Sequence, residues 1–120
     1  MRKDIEMTLE DGSKKLLPFE ANGATAIRYR MVFHEDLMLT MNSLSGDNVD
    51  TLIGAKLGYI MNAQAEKKTD DLSMDNFITW AAAFDGMSLV ESLEAFVSLY
   101  LGNRYSTSQG NSIPGRPTGK

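Results

Sequence analysis

The hydrophobic period of this chain changes once, between Phe19 and Thr25, and that change bounds what it can fold into. Residues Asp4-Ile5-Glu6-Met7-Thr8-Leu9 alternate polar and apolar, which predicts a half-buried strand with Ile5, Met7 and Leu9 on one face. Glu10-Asp11-Gly12-Ser13 then places Asp-Gly at the centre of a turn. Lys14 to Phe19 predicts a second strand, and Pro18 limits it to an edge or an end because proline cannot donate to a ladder. From Thr25 onward apolar residues recur every three or four positions. A hairpin alone is marginal in water, so the strands at 4–19 must pack on the helices that follow.

The segment Ala24 to Leu37 joins the two regimes. Thr25 is a candidate N-cap for a helix over about 26–33, with Ile27, Met31 and Val32 facing inward and Arg28 and Arg30 outward. Tyr29 and Phe33 are four apart and can anchor this helix, Arg30 can pair with an acid, and Asp36 can start the next helix. Tyr29, Arg30, Phe33 and Asp36 are therefore read as a structural hub. Leu37, Met38, Met41 and Leu44 predict a short second helix ending at Ser45-Gly46.

Asp47 can cap a third helix over about 48–66, where Val49, Leu52, Ile53, Leu57, Ile60 and Met61 form one stripe. Gly54 and Gly58 lie four apart beside it, and two glycines inside a helix imply close approach by another backbone. That neighbour is either another helix of the same chain, or a subunit in a homo-oligomer or another partner protein. Ser73 caps a fourth helix over about 74–83, carrying Phe77, Ile78, Trp80 and Ala81. Ser88-Leu89-Val90-Glu91 is a capping box for a fifth helix. Leu89, Leu93, Phe96, Val97 and Tyr100 stripe it as far as Leu101, and Gly102 is its stop. Beyond Asn103 only Tyr105 and Ile113 are large and apolar, which predicts a flexible polar tail over 103–120. The expected fold is α+β and mostly α: one domain over 1–102, with a short N-terminal hairpin on a bundle of about five helices.

No constellation of catalytic residues is visible, and the expectation is a protein that is not an enzyme and needs no cofactor or metal. The single His34 has neither a cysteine nor a nucleophile-elbow serine to work with. His34-Glu35-Asp36 does not converge on one helix face as metal ligands would. Gly54-x-x-x-Gly58 is not followed by Lys-Ser/Thr, so it is not a phosphate loop. The formal charge of −4 argues against nucleic acid as a partner. It is unevenly spread: residues 4–101 hold 16 acids against 7 Lys/Arg, a net −9, whereas 102–120 hold Arg104, Arg116 and Lys120 and no acid. No run of 18 apolar residues predicts a membrane span, and no apolar stretch follows Met1-Arg2-Lys3, so a cytoplasmic location is expected.

What remains is binding. Eight methionines give adaptable apolar side chains, which suit variable packing partners. Trp80 and Phe84 share a helix face beside a loop, and with Met87, Arg104 and Tyr105 they are the candidate partner-binding residues.

The segment from Ala24 to Leu37 resembles a pattern found in tail assembly chaperones of long-tailed bacteriophages of Gram-positive hosts, small-Thr-x-x-x-Tyr-Arg-x-x-Phe-Gly-x-Asp-Leu/Ile. Thr25, Tyr29, Arg30, Phe33, Asp36 and Leu37 match it, and His34 stands where glycine is usual. Leu57-Gly58-Tyr59-Ile60-Met61 and Phe77-x-x-Trp80-x-x-x-Phe84 resemble later segments of the same family. The resemblance implies a non-enzymatic protein of the host cell cytoplasm. It would bind the tape measure protein, assist assembly of the major tail tube protein, and be absent from the mature virion. The competing expectation is a structural virion protein, such as a head–tail connector or tail completion subunit.

Overall fold

The computed structural model describes residues 1–42 and 52–102. The expectations for Leu44, Ser45-Gly46, Asp47 and Val49, and for everything after Gly102, lie outside the described residues.

The chain begins with an antiparallel hairpin of β1 (Arg2–Thr8) and β2 (Lys14–Glu20), with Ile5 opposite Leu17 and Lys3 opposite Phe19. Gly12 takes a φ of +89° in the connection, and the Asp11 carboxylate accepts from the Ser13 N–H at 2.9 Å. Each strand is one residue longer than the pattern predicts: β1 starts two residues earlier and stops one earlier, and β2 runs one further, to Glu20. Pro18 lies inside β2, opposite Asp4. In a two-stranded sheet each strand keeps one open edge, so the missing N–H costs no ladder bond. Ile5, Met7, Leu17 and Phe19 form the buried face. Leu9, expected as the third inward residue of its strand, is half-buried and leaves the ladder to bridge Phe84.

Helices α1 (Thr25–Phe33), α2 (Leu37–Asn42), α3 (Ile53–Glu66), α4 (Met74–Ala81), α5 (Gly86–Glu91) and α6 (Leu93–Leu101) follow. The sheet lies on α3, and α6, α1, α4 and α5 pack around the same helix. As a result every residue from Ile53 to Ala65 is buried. A single apolar stripe predicts one buried face, but a helix enclosed on all sides must bury its polar residues too, and these need partners. Each finds them. The Lys56 ammonium meets Glu35 at 3.1 Å. Asn62 donates to the Pro18 carbonyl at 2.8 Å and accepts from the Trp80 indole N–H at 3.0 Å. Gln64 donates to the Glu20 carbonyl at 2.6 Å and to the Thr25 hydroxyl at 2.9 Å, and accepts from Arg28 at 2.9 Å.

The two glycines of α3 serve the close crossing their spacing implies, and the neighbour belongs to the same chain. A methyl group on Gly54 would lie 3.1 Å from Leu93 Cβ and 3.3 Å from the Leu89 carbonyl. On Gly58 it would lie 2.6 Å from the ring of Phe96, which itself packs at a tilt against Phe19 with centroids 4.8 Å apart.

Three local expectations are corrected. Thr25 does not cap α1. It is the first helical residue and fully buried, and its hydroxyl accepts from the Asn22 N–H at 2.9 Å while Gln64 donates to it. Ser88 does not start a helix either: it lies within α5, and its hydroxyl accepts from the Thr8 N–H of β1 at 3.0 Å. A tertiary partner outcompetes the local capping box in this case. The fifth helix expected as far as Leu101 is broken at Ser92, whose hydroxyl lies 3.4 Å from Met7 Sδ, and it ends at Gly102 with φ +66°. Ser73 does cap α4, accepting from the Asn76 N–H at 3.0 Å.

Candidate partner-binding surface

α1 decides which residues are left for a partner. Ile27 and Met31 form one i, i+4 pair and Tyr29 and Phe33 another. Two residues along a helix is a rotation of about 200°, so the pairs face opposite ways and only one can enter the core. The aromatic pair wins, together with Thr25. Tyr29 is fully buried, whereas Ile27 and Met31 are 62% and 71% exposed. The inward placement expected for Ile27 and Met31 is therefore reversed, and Val32 is half-buried. Ile27, Met31, Val32 and Leu72 line a groove of about 450 Å³ with Arg28 and Asp70 at its rim. The same choice recurs on α4, where Phe77 is buried while Met74 and Ile78, again four apart, stay exposed.

The aromatic residues form a continuous file through the body. Ring centroids of Tyr29 and Phe33 are 5.1 Å apart, Phe33 and Phe77 5.0 Å, and Phe77 and Tyr59 5.6 Å. From Tyr59 the file passes to Trp80 at 5.8 Å and on to Phe84 at 4.7 Å. Lys56 Nζ lies 5.6 Å from the centre of the Phe33 ring. The candidate residues Trp80 and Phe84 are thus brought together, and they are joined to Tyr29 and Phe33 of the hub.

Phe84 is buried and holds Leu9. Trp80 is half-buried, and its free edge lines a polar groove with Asn62, Glu66 and Asn76. Met87 is exposed at the start of α5, apart from the aromatic file. Arg104 and Tyr105 lie outside the described residues.

The other two hub residues differ in their roles. Arg30 is exposed and makes no ion pair among the described residues; the ion pair that ties α1's end to α3 is Glu35 with Lys56. Asp36 caps α2, its carboxylate accepting from the N–H groups of Met38 at 2.9 Å and Leu39 at 3.1 Å. Between them His34 closes α1 with φ +58° and ψ +33°, its N–H on the Arg30 carbonyl. This is the left-handed region that glycine enters without steric cost.

Of the six helical methionines, Met31, Met38, Met74 and Met87 are exposed, Met41 is half-buried and Met61 is in the core. Flexible, polarizable methionine side chains at the surface fit partners of irregular shape. Leu39 and Val90 extend the exposed apolar set on α2 and α5. On α1 sequence periodicity alone points Ile27 and Met31 inward; the signal that singles them out is the bulkier Tyr29–Phe33 pair two positions away on the same helix.

Among the described residues no three His, Asp or Glu side chains are grouped as a metal site, and no helix is long and apolar enough to cross a membrane. No protein-family model matches the chain, and neither the curated proteins nor the solved structures yield a match.

Proposed function

We propose that this chain is a tail assembly chaperone of a long-tailed bacteriophage. In the host cytoplasm it would hold the tape measure protein through exposed helical apolar side chains, assist addition of the major tail tube protein, and leave before the virion is complete. The observation that carries this proposal is the match between the family-like pattern and the local geometry. Thr25, Tyr29, Phe33 and Leu37 are buried, and Asp36 caps α2. Position 34, where the pattern has glycine, takes a positive φ. Two further features support it. Exposed Ile27, Met31, Met74 and Ile78 supply apolar surface in excess of what the fold needs. The net −9 of residues 4–101 keeps such a surface soluble while it is unoccupied.

Co-expression with the tape measure protein of the same phage tests the proposal. The expected result is a soluble complex. Met31→Glu together with Ile78→Glu should weaken it at least tenfold without unfolding the chain, because both residues are exposed. Failure of the wild-type chain to keep that protein soluble overturns the assignment. So does its recovery in stoichiometric amounts from purified virions, which would point to a connector or tail completion subunit.

A further inference from the structure

We infer that Asn22 is a site of spontaneous covalent modification, in which the Gly23 backbone nitrogen attacks the Asn22 side-chain amide and the product lengthens the main chain between β2 and α1. Water is the only co-reactant. In the first step the Gly23 nitrogen bonds to Asn22 Cγ and the Cγ–Nδ2 bond breaks. The proton of the Gly23 N–H leaves on the departing ammonia, and a cyclic imide remains. In the second step water adds to one of the two imide carbonyls and a C–N bond breaks. The chain then carries either an aspartate or an isoaspartate, whose main chain runs through Cγ. Nothing is oxidised or reduced in either step.

The turn between β2 and α1 presents both reacting groups. Asn22 and Gly23 are exposed, and the Gly23 N–H has no acceptor among the described residues. Glycine has no Cβ to shield that nitrogen. The Ala24 N–H donates to Asn22 Oδ1 at 2.8 Å. This bond curls the side chain back over its own peptide, toward the Gly23 nitrogen. It also places a donor on the oxygen where negative charge develops during the attack. The leaving nitrogen, Nδ2, lies at the surface and donates to the Glu20 carboxylate at 3.0 Å.

The rest of the fold holds the turn in this shape. Gln64 donates both to the Glu20 carbonyl at 2.6 Å and to the Thr25 hydroxyl at 2.9 Å, so one buried side chain pins both ends. Within the turn the Asn22 N–H donates to the Thr25 hydroxyl at 2.9 Å, and the Thr25 N–H to the Asn22 carbonyl at 3.1 Å. Holding two reacting groups together lowers the barrier to their reaction. Other positions lack a free nucleophile. Asn76 is followed by the Phe77 N–H, which donates to the Ser73 carbonyl at 2.9 Å. Asn62 is buried inside α3, where the next N–H belongs to the helix ladder. In Asp11-Gly12 the Gly12 N–H is taken by the Leu9 carbonyl at 2.9 Å.

The pinning also makes the product disruptive. An isoaspartate inserts an extra backbone carbon into a turn whose ends cannot separate, because Thr25 is fully buried and tied through Gln64 to Glu20. The start of α1 must give up either its turn or its hold on α3. This inference rests on the turn alone and does not depend on the chaperone assignment.

Incubation of the full chain at mildly alkaline pH, with peptide mapping by mass spectrometry and labelling by an isoaspartyl methyltransferase, tests it. The expected result is that Asn22 converts before every other asparagine. Its rate in the folded chain should be within tenfold of that in a capped peptide spanning residues 19–26, or above it. Gly23→Ala should slow conversion at least tenfold while keeping the wild-type melting curve, because an added Cβ there meets nothing within 4 Å. In the isolated isoaspartyl fraction, amide hydrogen exchange along α1 should be at least tenfold faster than in unmodified chain. Asn22→Asp, which adds the charge without the extra backbone carbon, should leave α1 protected. The inference is overturned if Asn22 is not the first to convert, if the folded chain lags the peptide by more than tenfold, or if Gly23→Ala converts as fast as wild type. It is also overturned if the isoaspartyl fraction keeps wild-type exchange along α1, or if Asn22→Asp loosens α1 as much.

Discussion

Gly58→Ala tests the packing at the centre of the molecule, because two opposed effects of known size meet at one atom. Alanine is favoured over glycine inside a helix by about 1 kcal/mol. Against this, the added methyl would lie 2.6 Å, 2.8 Å and 3.1 Å from three carbons of the Phe96 ring. Carbon atoms pack best at about 3.5–4.0 Å, so the ring must retreat by roughly 1 Å. It has no room: Phe96 is fully buried, with Phe19 at 4.8 Å on its other side. Overpacking of this kind costs about 1–3 kcal/mol, and a contact this short in a closed site belongs at the upper end. The net loss is about 1–2 kcal/mol, which for a domain of this size lowers Tm by roughly 5–15 °C. Urea denaturation followed by circular dichroism, with an unchanged m-value, measures it. Phe96→Leu in the same chain makes room for the methyl, so the double variant should be more stable than the sum of the two single losses by about 1 kcal/mol. If Gly58→Ala is as stable as wild type, or more so, the α3–α6 crossing is not as close as described and the reasoning fails.

Three further outcomes follow from the same geometry. Gln64→Ala leaves the Glu20 carbonyl without its donor and opens a cavity beside Thr25, and should cost about 2–4 kcal/mol by chemical denaturation. His34→Gly relieves a left-handed non-glycine residue at an exposed helix end, and should raise stability by about 0.5–1 kcal/mol despite the greater freedom of glycine in the unfolded chain. Tyr100 titrates above its ordinary 10.0, first because it is partly buried and second because the Asp36 carboxylate repels the phenolate. A phenol whose folded-state pKa is raised contributes stability that is complete below the ordinary value and is lost as pH rises through the folded one. Asp36→Asn keeps an oxygen to cap α2 but removes the charge, so an ultraviolet titration should show Tyr100 moving down part of the way, with burial still holding it above its ordinary value.

The element order was legible from residue pattern because it depends on local chemistry. Alternation with Asp-Gly between two runs specifies a hairpin, and the Ser73 cap and the Gly102 stop act within a single turn of helix. The paired glycines of α3 also announced a close crossing, since nothing else justifies their cost inside a helix. Legibility failed wherever two local solutions were equally good. On α1, Ile27 with Met31 and Tyr29 with Phe33 are both sound apolar pairs, and the sequence contains no statement of which side the core lies on. At Ser88 the local capping box was chemically complete, yet the Thr8 N–H needed an acceptor and took the hydroxyl.

The candidate surfaces show the same division. Trp80 and Phe84 could be paired from their spacing, but their place at the end of an aromatic file from Tyr29 depends on α4 lying across α1 and α3. By itself, the sequence determined the order of strands and helices and some of their ends, such as the Ser73 cap and the Gly102 stop, since those choices are settled by residues within four positions of one another. Only the tertiary structure decided which helix is enclosed and which of two apolar faces is buried. Those outcomes depend on contacts between residues as far apart as Thr8 and Ser88, and on the requirement that every polar group carried into the core by α3 find a partner there.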